Sequence, residues 1–310
     1  MVLKKNVCIC AETQHKLSAD CVKAEPVEKA VLTEDERNIY ASGKGFSYVF
    51  DKHYGTFVSM VVNGKEQLAD KVSLSAMRAP TDNDRNIKQF WLKIDIWQGE
   101  NLDYTFAKVY DCKVEDGVIV TEASVAGVSR YPFIRYTQTV EIFADGQIKY
   151  SVDGNIRKDA FWLPRLGFEF TLPKTSDEFT YYGRGPLENY GDMHHMAPVG
   201  MYSSSAEKEY VNYVYPQEHG NHTEVKMLQI GDLEFGSENG FECNVSEYTA
   251  ADLYKAMHTD ELKKDGNIHL RIDYKVSGIG SNSCGPVLSE QYRLSEKEIY
   301  FSFSVKPKYN

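Results

Sequence analysis

Ile134-Arg-Tyr-Thr-Gln-Thr-Val-Glu-Ile-Phe-Ala-Asp-Gly-Gln-Ile-Lys-Tyr-Ser-Val-Asp153 decides the fold class. Two runs rich in β-branched and aromatic residues, Ile134–Phe143 and Gln147–Asp153, flank Asp145-Gly146. An Asp-Gly pair accepts the left-handed backbone of a tight two-strand turn, so the stretch predicts an antiparallel hairpin. The same grammar repeats outward. Phe46–Phe50 and Thr56–Val62 are joined through Tyr54-Gly55, and the second run ends in Asn63-Gly64. Val118–Ser124 follows Asp116-Gly117. Arg165–Leu172, Glu224–Ile230, Leu233–Ser237, Ile268–Val276 and Ile299–Val305 also read as strands. In Arg271-Ile-Asp-Tyr-Lys-Val polar and apolar residues alternate, as a sheet with one wet face requires. Helical spacing occurs in Asn86–Trp97 and in Thr249–His258, the latter with Thr249 as N-cap. Many strands with a few short helices predict an all-β, large antiparallel β-sandwich.

The bulk numbers agree with this class and exclude others. The 310 residues are 42% hydrophobic and 26% charged, with 21 Tyr and 15 Phe. A net charge of −10 argues against a nucleic-acid partner, which needs basic stripes. No run is long and apolar enough to suggest a membrane span, and residues 1–12 do not read as a secretory signal. Six cysteines without a Cys-x-x-Cys or Cys-x-x-His pair suggest free thiols in a cytoplasmic protein and no metal site. Residues 7–17 read as one strand, followed by a polar connector from about Ser18 to Asn38.

Four polar segments could carry chemistry. Arg78-Ala-Pro-Thr-Asp-Asn-Asp84 offers carboxylates to a cation or a sugar, but Asp82, Asn83 and Asp84 more simply cap turns, with Arg78 paired to one of them. Tyr181-Tyr-Gly-Arg-Gly-Pro-Leu-Glu-Asn-Tyr-Gly-Asp192 reads as an irregular, tight loop. It presents Glu188 and Asp192 as acid/base candidates; the plainer reading is a turn in which Arg184 holds a carboxylate bidentately. Tyr215-Pro-Gln-Glu-His-Gly-Asn-His-Thr223, with Gln217 as a motif residue, gathers Glu218, His219 and His222, the best candidates for proton transfer. Gly278-Ile-Gly-Ser-Asn-Ser-Cys-Gly-Pro286 is a glycine loop without phosphate-loop spacing, and Cys284 has no neighbouring base.

In this order the four segments resemble the C-terminal domain of the large bacterial β-galactosidases of glycoside hydrolase family 2. The quoted motifs, including Gly183-Arg-Gly-Pro-Leu-Glu-Asn189-Tyr190, carry the resemblance over about residues 38–306. It implies a galactose-mutarotase-like supersandwich over 38–310. Residues 1–37 would then be the last strand of a preceding immunoglobulin-like domain plus a linker. It also implies a parent that hydrolyses terminal β-galactosides such as lactose by a retaining two-carboxylate mechanism. The catalytic glutamates of such enzymes lie in a (β/α)₈ barrel of about 250 residues, for which this chain has no room. Neither Glu188 nor Glu218 matches one of them, so the resemblance implies a fragment, or a small subunit that joins a larger chain.

The expected partners are that barrel, the parent's other domains and a galactoside, in an enzyme that is a homo-oligomer. No cofactor is expected in this chain; the parent's Mg and Na would sit mainly in other domains. In well-known members an indole under the sugar comes from the segment matching 278–286, which here holds Ser283 and Cys284. The stretch Gln98–Tyr104 resembles the region of a mobile loop beside the active site, with Gly99 as hinge. Two other readings are an independent mutarotase-like enzyme using His219, His222 and Glu218, and a stand-alone carbohydrate-binding module.

Overall fold

The computed structural model describes residues 28–94, 99–175 and 177–309. The strand read at 7–17 lies outside them. Among the described residues the strands are β1 (Leu32–Glu34), β2 (Asn38–Gly43), β3 (Phe46–Asp51), β4 (Thr56–Val62), β5 (Lys65–Glu66), β6 (Ser73–Ser75), β7 (Thr105–Glu115), β8 (Val118–Gly127) and β9 (Ile134–Ile142). They continue as β10 (Ile148–Ile156), β11 (Arg165–Pro173), β12 (Glu178–Arg184), β13 (Val199–Ser205), β14 (Asn221–Ile230), β15 (Leu233–Ser246), β16 (Asn267–Val276) and β17 (Glu298–Pro307). All pairings are antiparallel. β1 to β5 form one sheet in sequence order; the larger sheet runs β13-β12-β14-β15-β17-β10-β9-β8-β7, with β16, β11 and β6 branching from β15.

The opening hairpin forms as its sequence requires. Ile142 faces Ile148 across the β9–β10 turn. Gly146 has φ +80°, and the Gln147 N–H is capped by Asp145 Oδ1 at 3.0 Å. Asn63-Gly64 (φ +52° and +75°) and Asp116-Gly117 (+50° and +73°) make two further tight turns, joining β4 to β5 and β7 to β8. Both central residues sit at positive φ, matching the right-handed twist of the flanking strands.

The two sheets close on one aromatic core. Tyr48, Phe50, Phe57 and Met60 of the small sheet pack with Val140, Tyr150, Phe168, Phe170 and Phe303 of the large one, all at most 2% exposed. Tyr150 stacks on Phe303 with centroids 4.8 Å apart and meets Phe57 edge-on at 5.9 Å. Each such ring contributes about 1.5–3 kcal/mol through burial. A second core forms around Trp91, Trp162, Leu102, Leu163 and Leu294.

Helix content departs from expectation at one of two places. Thr249 caps Ala250–Lys255 with a reciprocal Thr249/Asp252 box, as its sequence predicts. Asn86–Trp97 is not one helix: a 3₁₀ turn at Asp82–Asn86 ends at its first residue, and its described part holds a second at Lys88–Phe90. The carbonyls of Phe90 and Trp91 accept from the N–H groups of Glu100 (2.9 Å) and Leu102 (2.7 Å), so they are not available to continue a helix. The apolar spacing reflects burial of Ile87, Trp91 and Leu92 in the second core. Residues 181–184 are likewise the end of strand β12, not loop.

Candidate functional site

Four segments far apart in sequence meet at one place, and main-chain groups do most of the joining. Arg78 is fully buried. Both its contacts to Asp84, at 2.9 and 2.8 Å, come from Nη2, while Nη1 donates to the Ser277 carbonyl. The guanidinium also lies 5.3 Å over the Trp91 ring. Asp84 Oδ2 accepts from the Thr81 N–H and hydroxyl as well, closing the 3₁₀ N-terminus. The Asp82 N–H donates to Gln217 Oε1 (2.7 Å), the Glu218 N–H to the Ala79 carbonyl (3.3 Å), and Asn83 Nδ2 to the Ile279 carbonyl (2.6 Å).

The segment around residue 188 ties into the same assembly. Glu188 accepts from the Tyr213 hydroxyl (2.5 Å) and from the N–H of Gly220 (2.8 Å), a residue at φ +73°. Asp192 accepts from two successive main-chain N–H groups, Ile279 at 3.1 Å and Gly280 at 2.7 Å. Asn189 is fully buried; its Oδ1 receives both the Thr223 N–H and hydroxyl, and its carbonyl receives Asn221 Nδ2. Tyr190 is buried in full beside it. Arg184 departs from the expected turn: its Nε contacts Glu224 Oε1 on β14 at 2.7 Å, and Nη1 donates to the Ala197 carbonyl. It does not hold Glu188 or Asp192.

Beneath these loops lies a row of polar side chains across β6, β11, β16, β15 and β14. Ser73 pairs with Glu169, Glu169 with Arg271, Arg271 with Asn244, and Asn244 with Asn221. The alternation in Arg271-Ile-Asp-Tyr-Lys-Val is real, yet its polar face is not wet: Arg271 is 2% and Asp273 1% exposed. Arg271 Nε contacts Glu169 at 3.0 Å and Nη1 donates to Asn244 Oδ1 at 2.8 Å. Asn244 Nδ2 in turn donates to the His219 carbonyl, fastening the 215–223 segment to the sheet. Arg165 pairs closely with Asp273 and stands 3.6 Å from Glu218. Gly167 lies opposite Asp273, where a Cβ would collide with that carboxylate.

Two guanidiniums thus face four carboxylates, Glu169, Glu218, Glu242 and Asp273. Burial pushes the Glu242 carboxyl up to about 7, with the Asp273 charge adding to it. Glu242 accepts from Asn221 Nδ2 (2.8 Å) and the Val276 N–H (3.1 Å). Burial also raises Asp273, although Arg165 opposes it. For Glu169 burial works upward, but the Arg271 and Arg165 charges outweigh it and hold the carboxyl below its ordinary range. The sequence reading passed over Arg165, Glu169, Asn221, Glu242, Asn244 and Asp273. Their signal was polar residues at alternate strand positions, which an open wet face shows equally well.

Neither imidazole is open to a sugar. His219 is 4% exposed, with Nδ1 donating to the Gln217 carbonyl at 2.8 Å. His222 is 1% exposed, between the Tyr181 hydroxyl (3.0 Å) and Glu209 Oε2 (2.9 Å). Ser283 and Cys284 are exposed on the 278–286 loop. Gly99 stands apart from the four segments, at φ +78° in the wall of an open depression. Among the described residues no group of three or more His, Cys, Asp or Glu is placed to hold a metal, and no helix is long and apolar enough to cross a membrane.

The sequence profile of a family described as β-galactosidase small chain matches residues 42–305. A β-galactosidase from Actinobacillus pleuropneumoniae is 34% identical over 285 residues, and one from Staphylococcus xylosus is 32% identical over 290. These alignments cover 90% and 89% of this chain but 28% of each relative, so the chain spans little more than a quarter of their length. The crystal structure of galactose 1-epimerase from Lactobacillus acidophilus superposes with a TM-score of 0.41 at 8% identity, covering 91% of this chain and 100% of that one. With most of its length matched by the profile and its four motifs joined in one buried assembly, the chain belongs to the β-galactosidase small-chain family.

Proposed function

We propose that this chain is the non-catalytic C-terminal sandwich of a glycoside hydrolase family 2 β-galactosidase, walling the galactose pocket and packing on the catalytic barrel of a retaining enzyme that cleaves terminal β-galactosides such as lactose. One observation carries the reading: among the carboxylates of the motif segments only Asp82 is exposed, and the others are committed to holding the fold. Asp84 is taken by Arg78 and Thr81, Glu188 by Tyr213 and Gly220, and Asp192 by Ile279 and Gly280. Glu218 is 1% exposed beside Arg165. A glycosidase needs two carboxyl groups flanking an accessible bond, one able to give up a proton and the other to attack or activate water. These have neither the access nor the freedom. The exposed Ser283 and Cys284 are the side chains this domain would offer to the pocket.

The epimerase reading needs an imidazole open to a sugar ring, and both candidates are enclosed. The test is direct. The 310-residue chain alone is expected to give no turnover of a chromogenic β-galactoside. Turnover that Glu218→Gln abolishes would overturn the proposal.

A further inference from the structure

Strand β15 is not evenly paired with β14. Gly236 faces Met227 and Phe241 faces Val225, so residues 237–240 stand opposite Lys226 alone. The surplus chain is taken up at Glu238-Asn239-Gly240: Glu238 and Asn239 are exposed, and Gly240 holds φ +83°. Phe241, 2% exposed, returns the strand to the core.

An Asn-Gly pair leaves the asparagine side chain open to attack by the next backbone nitrogen. Glycine brings no Cβ to shield that nitrogen, and its permissive backbone lets it swing towards the carboxamide. The chain has two such pairs, Asn63-Gly64 and Asn239-Gly240. The structure separates them. Asn63 is clamped: its Nδ2 donates to the Lys308 carbonyl (2.9 Å) and its N–H to the Gly45 carbonyl (2.9 Å). Among the described residues none holds the Asn239 carboxamide by a hydrogen bond or ion pair. Lys226 Nζ donates to the Glu238 carbonyl, and a Cβ at Gly240 would lie 3.6 Å from that ammonium. A cation this close favours loss of the Gly240 amide proton, the step that arms the nitrogen.

We propose that Asn239 is a site of spontaneous deamidation in the folded chain. The Gly240 nitrogen, its proton passed to solvent, bonds to Asn239 Cγ; the Cγ–Nδ2 bond breaks and ammonia leaves. Water then opens the resulting succinimide at either carbonyl, giving aspartate or isoaspartate. The net change is amide plus water to acid plus ammonia, with no oxidant or cofactor. Either product adds a negative charge next to Glu238. Isoaspartate also lengthens the β15 backbone by one carbon, just ahead of Glu242 and Asn244 of the buried polar row.

The test is incubation of the folded 310-residue chain in mildly alkaline buffer, with peptide mass spectrometry following both asparagines over time. A parallel sample unfolded in guanidinium chloride gives the rate of each pair without structure, and there the two should be similar. In the folded chain Asn239 is expected to convert at least about tenfold faster than Asn63, which must first give up two hydrogen bonds. Lys226→Ala should slow Asn239 about threefold and leave Asn63 unchanged, as loss of a nearby charge requires. Equal rates in the folded chain, faster conversion at Asn63, or an Asn239 that reacts only when unfolded would each overturn the proposal. A rate at Asn239 that Lys226→Ala leaves unchanged would overturn the part given to the ammonium.

Discussion

Replacing Glu242 by Gln should remove a pH-dependent weakness from the buried polar row. In the folded chain burial holds this carboxyl at about 7, against 4.5 ordinarily. Between those pH values the native state keeps a proton that the unfolded chain has given up, so stability falls as pH rises through the interval and is level above it. At about 1.4 kcal/mol per pH unit the full interval corresponds to about 3 kcal/mol. Glu242 is only half-buried, so water screens part of the effect, and about 1–2 kcal/mol is the expected size. Gln keeps an acceptor for one of the two bonds, from Asn221 or the Val276 N–H, and turns its amide donor towards the other, costing about 1 kcal/mol at every pH. The absolute stability change is therefore less informative than its slope. Urea unfolding at intervals from pH 4.5 to 8.5 should show Glu242→Gln gaining about 1–2 kcal/mol on the parent as pH rises. Asp273, whose carboxyl burial also raises, gives both proteins a slope of the same sign, so only their difference is diagnostic. Parallel curves, within about 0.5 kcal/mol across the range, would refute the assignment.

Two further substitutions probe how the motif segments are joined. Asp84→Ala strands the Arg78 guanidinium at 0% exposure and removes the Thr81 capping box, so a loss of about 3–5 kcal/mol is expected in denaturant unfolding; a loss under about 1 kcal/mol would show that Ser277 and Trp91 alone hold the arginine. Asp192→Ala frees the N–H groups of Ile279 and Gly280, with an expected cost of about 1–2 kcal/mol and faster proteolytic nicking within 278–286; unchanged nicking would mean the loop is held instead by Asn83 and by Asn282, whose Oδ1 accepts from the Leu288 N–H at 2.8 Å.

The β-sandwich was legible because its turns are. Asn63-Gly64, Asp116-Gly117 and Asp145-Gly146 all make the turns their residues demand, and the strands Thr56–Val62 and Arg165–Pro173 follow from their apolar content. Strand β7 was not legible although its turn was. Thr-Phe-Ala-Lys-Val-Tyr-Asp-Cys-Lys-Val-Glu is largely exposed and only Cys112 and Val114 pack on the core, so its burial pattern is faint, and β8 is the one strand it pairs with among the described residues. β12 was hidden for another reason: Gly183 and Arg184 read as loop residues, yet Gly183 lies against Val225 where a Cβ would not fit, and Arg184 reaches Glu224 on the neighbouring strand.

For the site, residue identity revealed the actors and not their partners. Asp192 binds the N–H groups of Ile279 and Gly280, Asn83 the Ile279 carbonyl, and Arg78 the Ser277 carbonyl. Main-chain groups make those contacts, so the sequence marks them only by the missing side chains of Gly278 and Gly280, where a Cβ would crowd the Asp192 carboxylate. The polar row poses a deeper ambiguity. A period of two tells which residues share a face but not what is laid over it. What separates a wet face from a covered one is whether the charges must satisfy each other, as Arg165 does with Asp273 and Arg271 with Glu169 and Asn244. Because those pairs join different strands, 108 residues apart for Arg165 and Asp273, 102 for Arg271 and Glu169 and 27 for Arg271 and Asn244, they are properties of the sheet order rather than of any segment read alone. The same loops that supply the cover carry the family's motifs, and this explains why two acid/base candidates end as fastenings, Glu188 joining the cover's loops to one another through Tyr213 and Gly220 and Glu218 lying against Arg165 of the sheet.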